Sequence, residues 1–149
     1  EGRLVLADGL SLGVEDEPDA IVDIATLTGA VIGALGQKMA GVFGNDQPFV
    51  ERVKAAASAA DEPVWQLPLE HGYRKLLDSN VADMKNVGGP YGGAILAALF
   101  LSEFVGDTPW AHLDIAGTMN SEADEGWLSR GATGFGTRLL IQLALDFAA

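Results

Sequence analysis

The sequence contains no cysteine. Disulfides, thiolate metal ligands and a cysteine nucleophile are therefore excluded, and the absence fits a reducing compartment. Long apolar runs are missing too. The longest uncharged apolar stretch, Ala94 to Ser102, falls far short of the roughly 20 residues that cross a bilayer. No basic-then-apolar segment opens the chain as a secretory signal would. Positive charge is scarce: 9 lysines and arginines stand against 21 acidic residues, a formal net charge of −12. Such a surface repels phosphate backbones and anionic lipids, so neither nucleic acid nor a membrane is an expected partner. The acids gather in short runs, Glu15-Asp16-Glu17, Asp61-Glu62 and Glu122 to Glu125, which read as solvated loops or helix ends.

What is present suffices for a core. The 149 residues amount to one domain, and 48% of them are hydrophobic, too many for a disordered tail. The chain opens at Glu1 with helical pattern almost at once. Domains usually begin with a few loose residues, so the expectation is a cleaved precursor or a piece of a larger protein.

Leu4, Leu6, Ala7, Leu10 and Leu12 suit a short helix that Gly13 should end. Ala20 to Ala25 reads as a short, β-branched buried strand. Thr26-Leu27-Thr28-Gly29 is a turn into a small-residue helix or loop, Ala30 to Leu35. Met39 to Phe43 is a second strand, closed by Gly44-Asn45. Asp46 or Asn45 can cap the next helix, with Pro48 in its first turn and Phe49, Val53, Ala57 and Ala60 on its buried face. Pro63 and Pro68 bracket an extended segment, and a shorter helix is expected over Tyr73 to Leu77. A glycine-rich loop, Val81 to Gly93, opens an apolar helix expected to run to Val105. Trp110 to Ile115 is a third strand. A long loop, Thr118 to Gly136, then leads to a last helix starting at Thr137. Strands alternating with helices give an α/β domain with a largely parallel sheet. Three strands make a thin sheet for this class.

In such sheets ligands bind where strands end. Two strands end almost alike, in Asp23-Ile24-Ala25-Thr26 and Asp114-Ile115-Ala116-Gly117, each leading into small residues that admit a substrate backbone. The plainer reading is that both aspartates accept hydrogen bonds from neighbouring amides. Other motifs fail. Gly88 to Gly93 lacks the lysine and hydroxyl of a phosphate loop. The Gly131, Gly134, Gly136 set follows a loop rather than a strand, and no serine sits in a nucleophile elbow. His112, on a buried strand, reads as a hydrogen-bonded core histidine rather than a ligand.

Four segments nevertheless point one way: Glu1 to Asp8, Asp23 to Ala30, Ala82 to Asn86, and Trp110 to Gly117. In order and spacing, from first residue to last, the sequence resembles the catalytic domain of the leucyl aminopeptidases, the dimetal cytosol aminopeptidases. The resemblance implies that residues 1–149 are the carboxyl-terminal part of that domain. The implied fold is an α/β fold, part of a three-layer α/β/α sandwich with a mostly parallel, mixed sheet, truncated on its amino-terminal side. The family's opening segment reads Asn-Thr-Asp-Ala-Glu-Gly-Arg, of which Glu1-Gly2-Arg3 remain. Glu1 then matches a metal-binding glutamate, and Arg3 the arginine that holds a bicarbonate proton shuttle. The other metal donors and the lysine that polarises the scissile carbonyl would lie upstream.

The resemblance also places the backbone of Thr26, Leu27 and Gly29 against the substrate main chain, and Ala116 and Met119 against its amino-terminal side chain. Asp23 and Asp114 are not metal ligands in the family and are expected to brace loops. The implied enzyme is a cytoplasmic metallopeptidase, a hexamer with two divalent cations, zinc or manganese, per subunit, releasing leucine-like residues from peptides. Two close cations activate water and polarise a carbonyl; one carboxylate does not hold such a pair. The chain alone is therefore expected to be inactive and to associate with the missing amino-terminal half. The alternative is a non-catalytic α/β module for assembly or binding.

Overall fold

A computed structural model describes residues 1–147. Helix α1 (Gly2–Glu15) leads into strand β1 (Ile21–Ala25), followed by α2 (Gly29–Leu35), β2 (Ala40–Gly44), α3 (Gln47–Ala59) and β3 (Val64–Gln66). A 3-10 segment, His71–Leu77, precedes α4 (Gly93–Ser102) and β4 (Trp110–Asp114). The short strands β5 (Asn120–Ser121) and β6 (Gly131–Ala132) pair as a ribbon before α5 (Thr137–Phe147). The main sheet has four strands in the order β1-β4-β2-β3. β1 and β4 run parallel, as do β2 and β3, and the antiparallel β2–β4 pair joins them. This is the mixed, mostly parallel α/β sheet that was expected.

Alternation along the strands sorts the core into two layers. Phe43 and Trp110 point to one face, where residues of α1, α2 and α4 cover them. Val42, Ala111 and Leu113 point to the other, against α3 and α5. Helices on both faces of one sheet make the three-layer sandwich. α4 is buried from Leu96 to Leu101, which explains its lack of a polar face. Asp46, not Asn45, caps α3, accepting from the Phe49 amide at 2.7 Å. Asn45 instead ties the turn before β4, accepting from Trp110 N at 2.8 Å and donating to Thr108 O at 2.9 Å.

Several boundaries depart from the sequence reading. α1 passes through Gly13 to Glu15, because Val14 packs against the core. Tertiary packing thus outweighs the roughly 1 kcal/mol helix cost of glycine. α4 stops at Ser102, and Val105 is buried from a turn rather than from the helix. The proline-bracketed segment is a fourth strand, and the long loop carries the ribbon.

Two carboxylates lock β1 to β4. The strands are in register with Asp23 opposite His112. Asp23 accepts from Trp110 Nε1 at 2.6 Å and lies 2.5 Å from His112 Nδ1. The His112 ring packs beside Phe43 and Trp110, with centroids 6.0 and 6.2 Å away. Asp114, reaching the other way, accepts from residues just past β1. A one-residue slip would break both clamps. β2 approaches β4 closely at Gly44, where a Cβ would lie 2.3 Å from Val50 Cγ2 and 2.6 Å from Trp110 O. Gly44→Ala is expected to cost about 1–3 kcal/mol in urea denaturation; an unchanged midpoint would contradict that packing.

Candidate functional site

The strand directions gather four connections at one end of the sheet. β1 and β4 finish there, while β2 and β3, running oppositely, begin there. α1 runs down into β1, so its amino terminus, with Glu1 and Arg3, belongs to the same end.

Asp114 is buried, and it organises this end. Its Oδ1 accepts from Leu27 N at 3.1 Å, Thr28 N at 3.3 Å and Ala116 N at 3.2 Å. Its Oδ2 accepts from Thr28 Oγ1 at 2.7 Å. That hydroxyl in turn accepts from Val31 N at 3.1 Å, capping α2. The plainer reading of Asp114, a carboxylate bracing nearby amides, is what the geometry has. Asp23 does not brace a loop; it clamps two side chains of β4. Backbone crowding tightens the end further, since a Cβ at Gly117 would stand 2.3 Å from Gly36 O.

The residues singled out from the sequence fall as follows. Glu1 is exposed and caps α1, its Oε1 accepting from Arg3 N at 3.1 Å. Arg3 is half-buried and its Nη1 donates to Asn86 O, across 83 residues. Its Nε is buried without a protein partner. Burial pushes the Arg3 guanidinium below its ordinary pKa, while Glu1 and Asp114 pull the other way. Thr26 and Gly29 are exposed, and Leu27 and Ala116 pack against the core from the cleft side. A hollow between α1 and the end of β1 is lined by Gly2, Val5, Leu6, Gly9 and the segment Ala25 to Leu27. Met119 is exposed, its amide bonded to Ile115 O and its carbonyl to Thr133 N. Asp114 thus joins the 26–29 segment to Ala116, whereas Met119 is held to the ribbon side.

Two participants escaped the sequence reading. Thr28 carries the hydrogen-bond relay, and its position before Val31 at a helix start was a usable capping signal. The Asn86 carbonyl that receives Arg3 lies in the singled-out segment Ala82 to Asn86, but nothing in that segment marks it as an acceptor.

The donor chemistry separates the implied groups. Arg3 has the donor chemistry for an anion: a buried N–H lacks a protein acceptor, and a guanidinium favours planar oxyanions. A metal pair does not fit these residues alone: among the described residues no three histidine, aspartate or glutamate side chains gather to hold an ion. A second hollow, about 110 Å³, lies toward β3 and the ribbon, bordered by Lys38, Glu62, Thr118, Trp127 and Arg138. Three of its charged groups are already engaged. Glu62 accepts from Leu139 N at 2.9 Å, Arg138 lies over the Trp127 ring and Lys38 pairs with Glu125. Among the described residues, no helix is long and apolar enough to cross a membrane.

Fold and cleft together define an open-sheet α/β domain of the kind that receives ligand across its strand ends. The pattern described as "Cytosol aminopeptidase family, catalytic domain" matches residues 1–141. The chain belongs to the cytosol aminopeptidase family, a family of peptidases, and lies within its catalytic domain. It is 52% identical over its whole length to a protein named probable cytosol aminopeptidase from Synechococcus sp. (strain JA-3-3Ab), covering 30% of that relative. A relative of the same name from Prochlorococcus marinus (strain MIT 9313) is 54% identical over 95% of the chain and 29% of its own length. Another, from Solibacter usitatus (strain Ellin6076), is 50% identical over 100% and 31%. The chain thus spans about 30% of the length of the relatives it matches.

Proposed function

We propose that this chain forms one side of the catalytic cleft of a two-metal aminopeptidase that releases leucine-like amino-terminal residues from peptides. The observation that carries the reading is the family match over residues 1–141 together with Glu1-Gly2-Arg3 at the start of α1, on the strand-end side of the sheet. Glu1 supplies one carboxylate to a pair of zinc or manganese ions whose other donors belong to the rest of the parent protein. Arg3 holds a bicarbonate through its unpartnered Nε–H. The backbone of Thr26, Leu27 and Gly29 aligns the peptide main chain, and Ala116 and Met119 receive the amino-terminal side chain. Held by Glu1 and by donors from the rest of the parent, such a pair would supply Lewis acidity for an attacking water and the scissile carbonyl. The parent is a cytoplasmic homohexamer.

The edge of the sheet supports a need for more chain. Ile21 N–H bonds Pro109 O and Ala25 O accepts from Ile115 N. Strand alternation then turns the backbone groups of Val22 and Ile24 away from β4. Beside that edge runs an apolar groove of Ala20, Val22, Phe49, Leu140, Leu143 and Phe147. An unpaired edge next to apolar surface favours association, and its occupant in this reading is the amino-terminal half of the parent.

The test compares the pure chain with the parent on leucine p-nitroanilide in added manganese. Turnover is expected from the parent and none from the chain. Turnover by the chain alone would overturn the assignment of the remaining donors to the rest of the parent, and an inactive parent would overturn the peptidase reading.

A further inference from the structure

We infer that Asp114 is a positioning residue that sets the spacing between the two cleft walls, and through it the preference for large over small amino-terminal side chains. The inference rests on the aminopeptidase reading and adds a determinant of selectivity to it.

The walls grow from different strands. One is the segment 26–29 after β1, the other the segment 116–119 after β4. The sheet ladder reaches its last bond at Ile115 N to Ala25 O, 2.9 Å. Beyond that point, among the described residues, every hydrogen bond that links the walls runs through Asp114. One oxygen accepts from amides of both walls at once, so their separation is fixed by a single atom. The other oxygen takes the Thr28 hydroxyl, which orients the first turn of α2 through Val31 N.

The side-chain chemistry is specific. An ionised carboxylate offers two acceptor oxygens and no donor. An asparagine would keep one oxygen for the three amides but turn an N–H toward Thr28 Oγ1. The Thr28 proton would then lose its acceptor, and the 26–29 wall would loosen without emptying the site. The walls are assigned different tasks, main chain on one and side chain on the other. A change in their spacing therefore alters the gain from a larger side chain more than the handling of the scissile bond. A pocket's discrimination by methylene content amounts to roughly 10–200-fold, and a misplaced wall forfeits part of it.

The experiment uses the full-length parent and measures kcat/KM for leucine amide and for glycine amide. The ratio of the two is independent of how much enzyme is folded. Asp114→Asn and Thr28→Val are each expected to lower the ratio about tenfold, while Thr28→Ser, which keeps the hydroxyl, retains the wild-type ratio. If both rates fall together in Asp114→Asn and Thr28→Val and the ratio stays constant, Asp114 serves stability alone and the inference is overturned. Should the unmodified parent hydrolyse neither amide, the peptidase reading fails and takes the inference with it.

Discussion

Glu1→Gln in the parent enzyme is expected to lower kcat on the order of 10³-fold and to reduce bound metal, with little change in thermal midpoint. The magnitude follows from the several kcal/mol of transition-state charge stabilisation that a metal supplies, at tenfold per 1.36 kcal/mol. Glutamine suits the test because Glu1 has two separable roles. As the cap of α1 it needs an oxygen to accept from Arg3 N, and the amide oxygen of glutamine provides one. As a metal ligand it needs a negative charge, which glutamine lacks. Metal content by mass spectrometry separates the roles independently of turnover. Full metal occupancy together with turnover within a few-fold of wild type would remove Glu1 from the metal centre.

The second large effect concerns the core. Asp23→Ala is expected to destabilise the protein by about 2–6 kcal/mol, since two buried donors lose their acceptor at roughly 1–3 kcal/mol each. Asp23 is the buried partner of two side chains of β4. Deleting it leaves Trp110 Nε1 and His112 Nδ1 buried without an acceptor. His112 has no reserve, since its Nε2 is already buried and unpartnered. Asp23→Asn should cost less, because one oxygen still accepts from Trp110. It still costs something: its amide N–H would face His112 Nδ1, and the ring's proton would move to the orphaned Nε2. Urea denaturation measures both. A shift below about 1 kcal/mol for Asp23→Ala would mean that the Asp23 contacts contribute little net stability.

Much of the element content was legible because it depends on neighbours in sequence. The short buried runs at Ile21–Ala25 and Trp110–Asp114, helical spacing from Phe49 to Ala57, and the Asp46 cap with Pro48 behind it are local signals. Gly13 misled for the complementary reason. Its stop signal is local, but the packing of Val14 that carries α1 onward is not. β5 and β6, two residues each, are too short to leave any periodicity.

For the candidate site, the sequence by itself determined the residue types. It settled the absence of thiols, the Glu1-Gly2-Arg3 start, the two strands ending in aspartate and small residues, and with them the family. Only the tertiary structure decided the partners. The order β1-β4-β2-β3 brings Asp114 to Leu27 across 87 residues and Asp23 to His112 across 89. It turns one aspartate into a loop anchor and the other into a core clamp, a distinction that their near-identical sequence settings do not carry. The reason is physical: a side chain's propensity is set within a turn or two of its own backbone, whereas its hydrogen-bond partner is chosen by which strands the sheet places side by side.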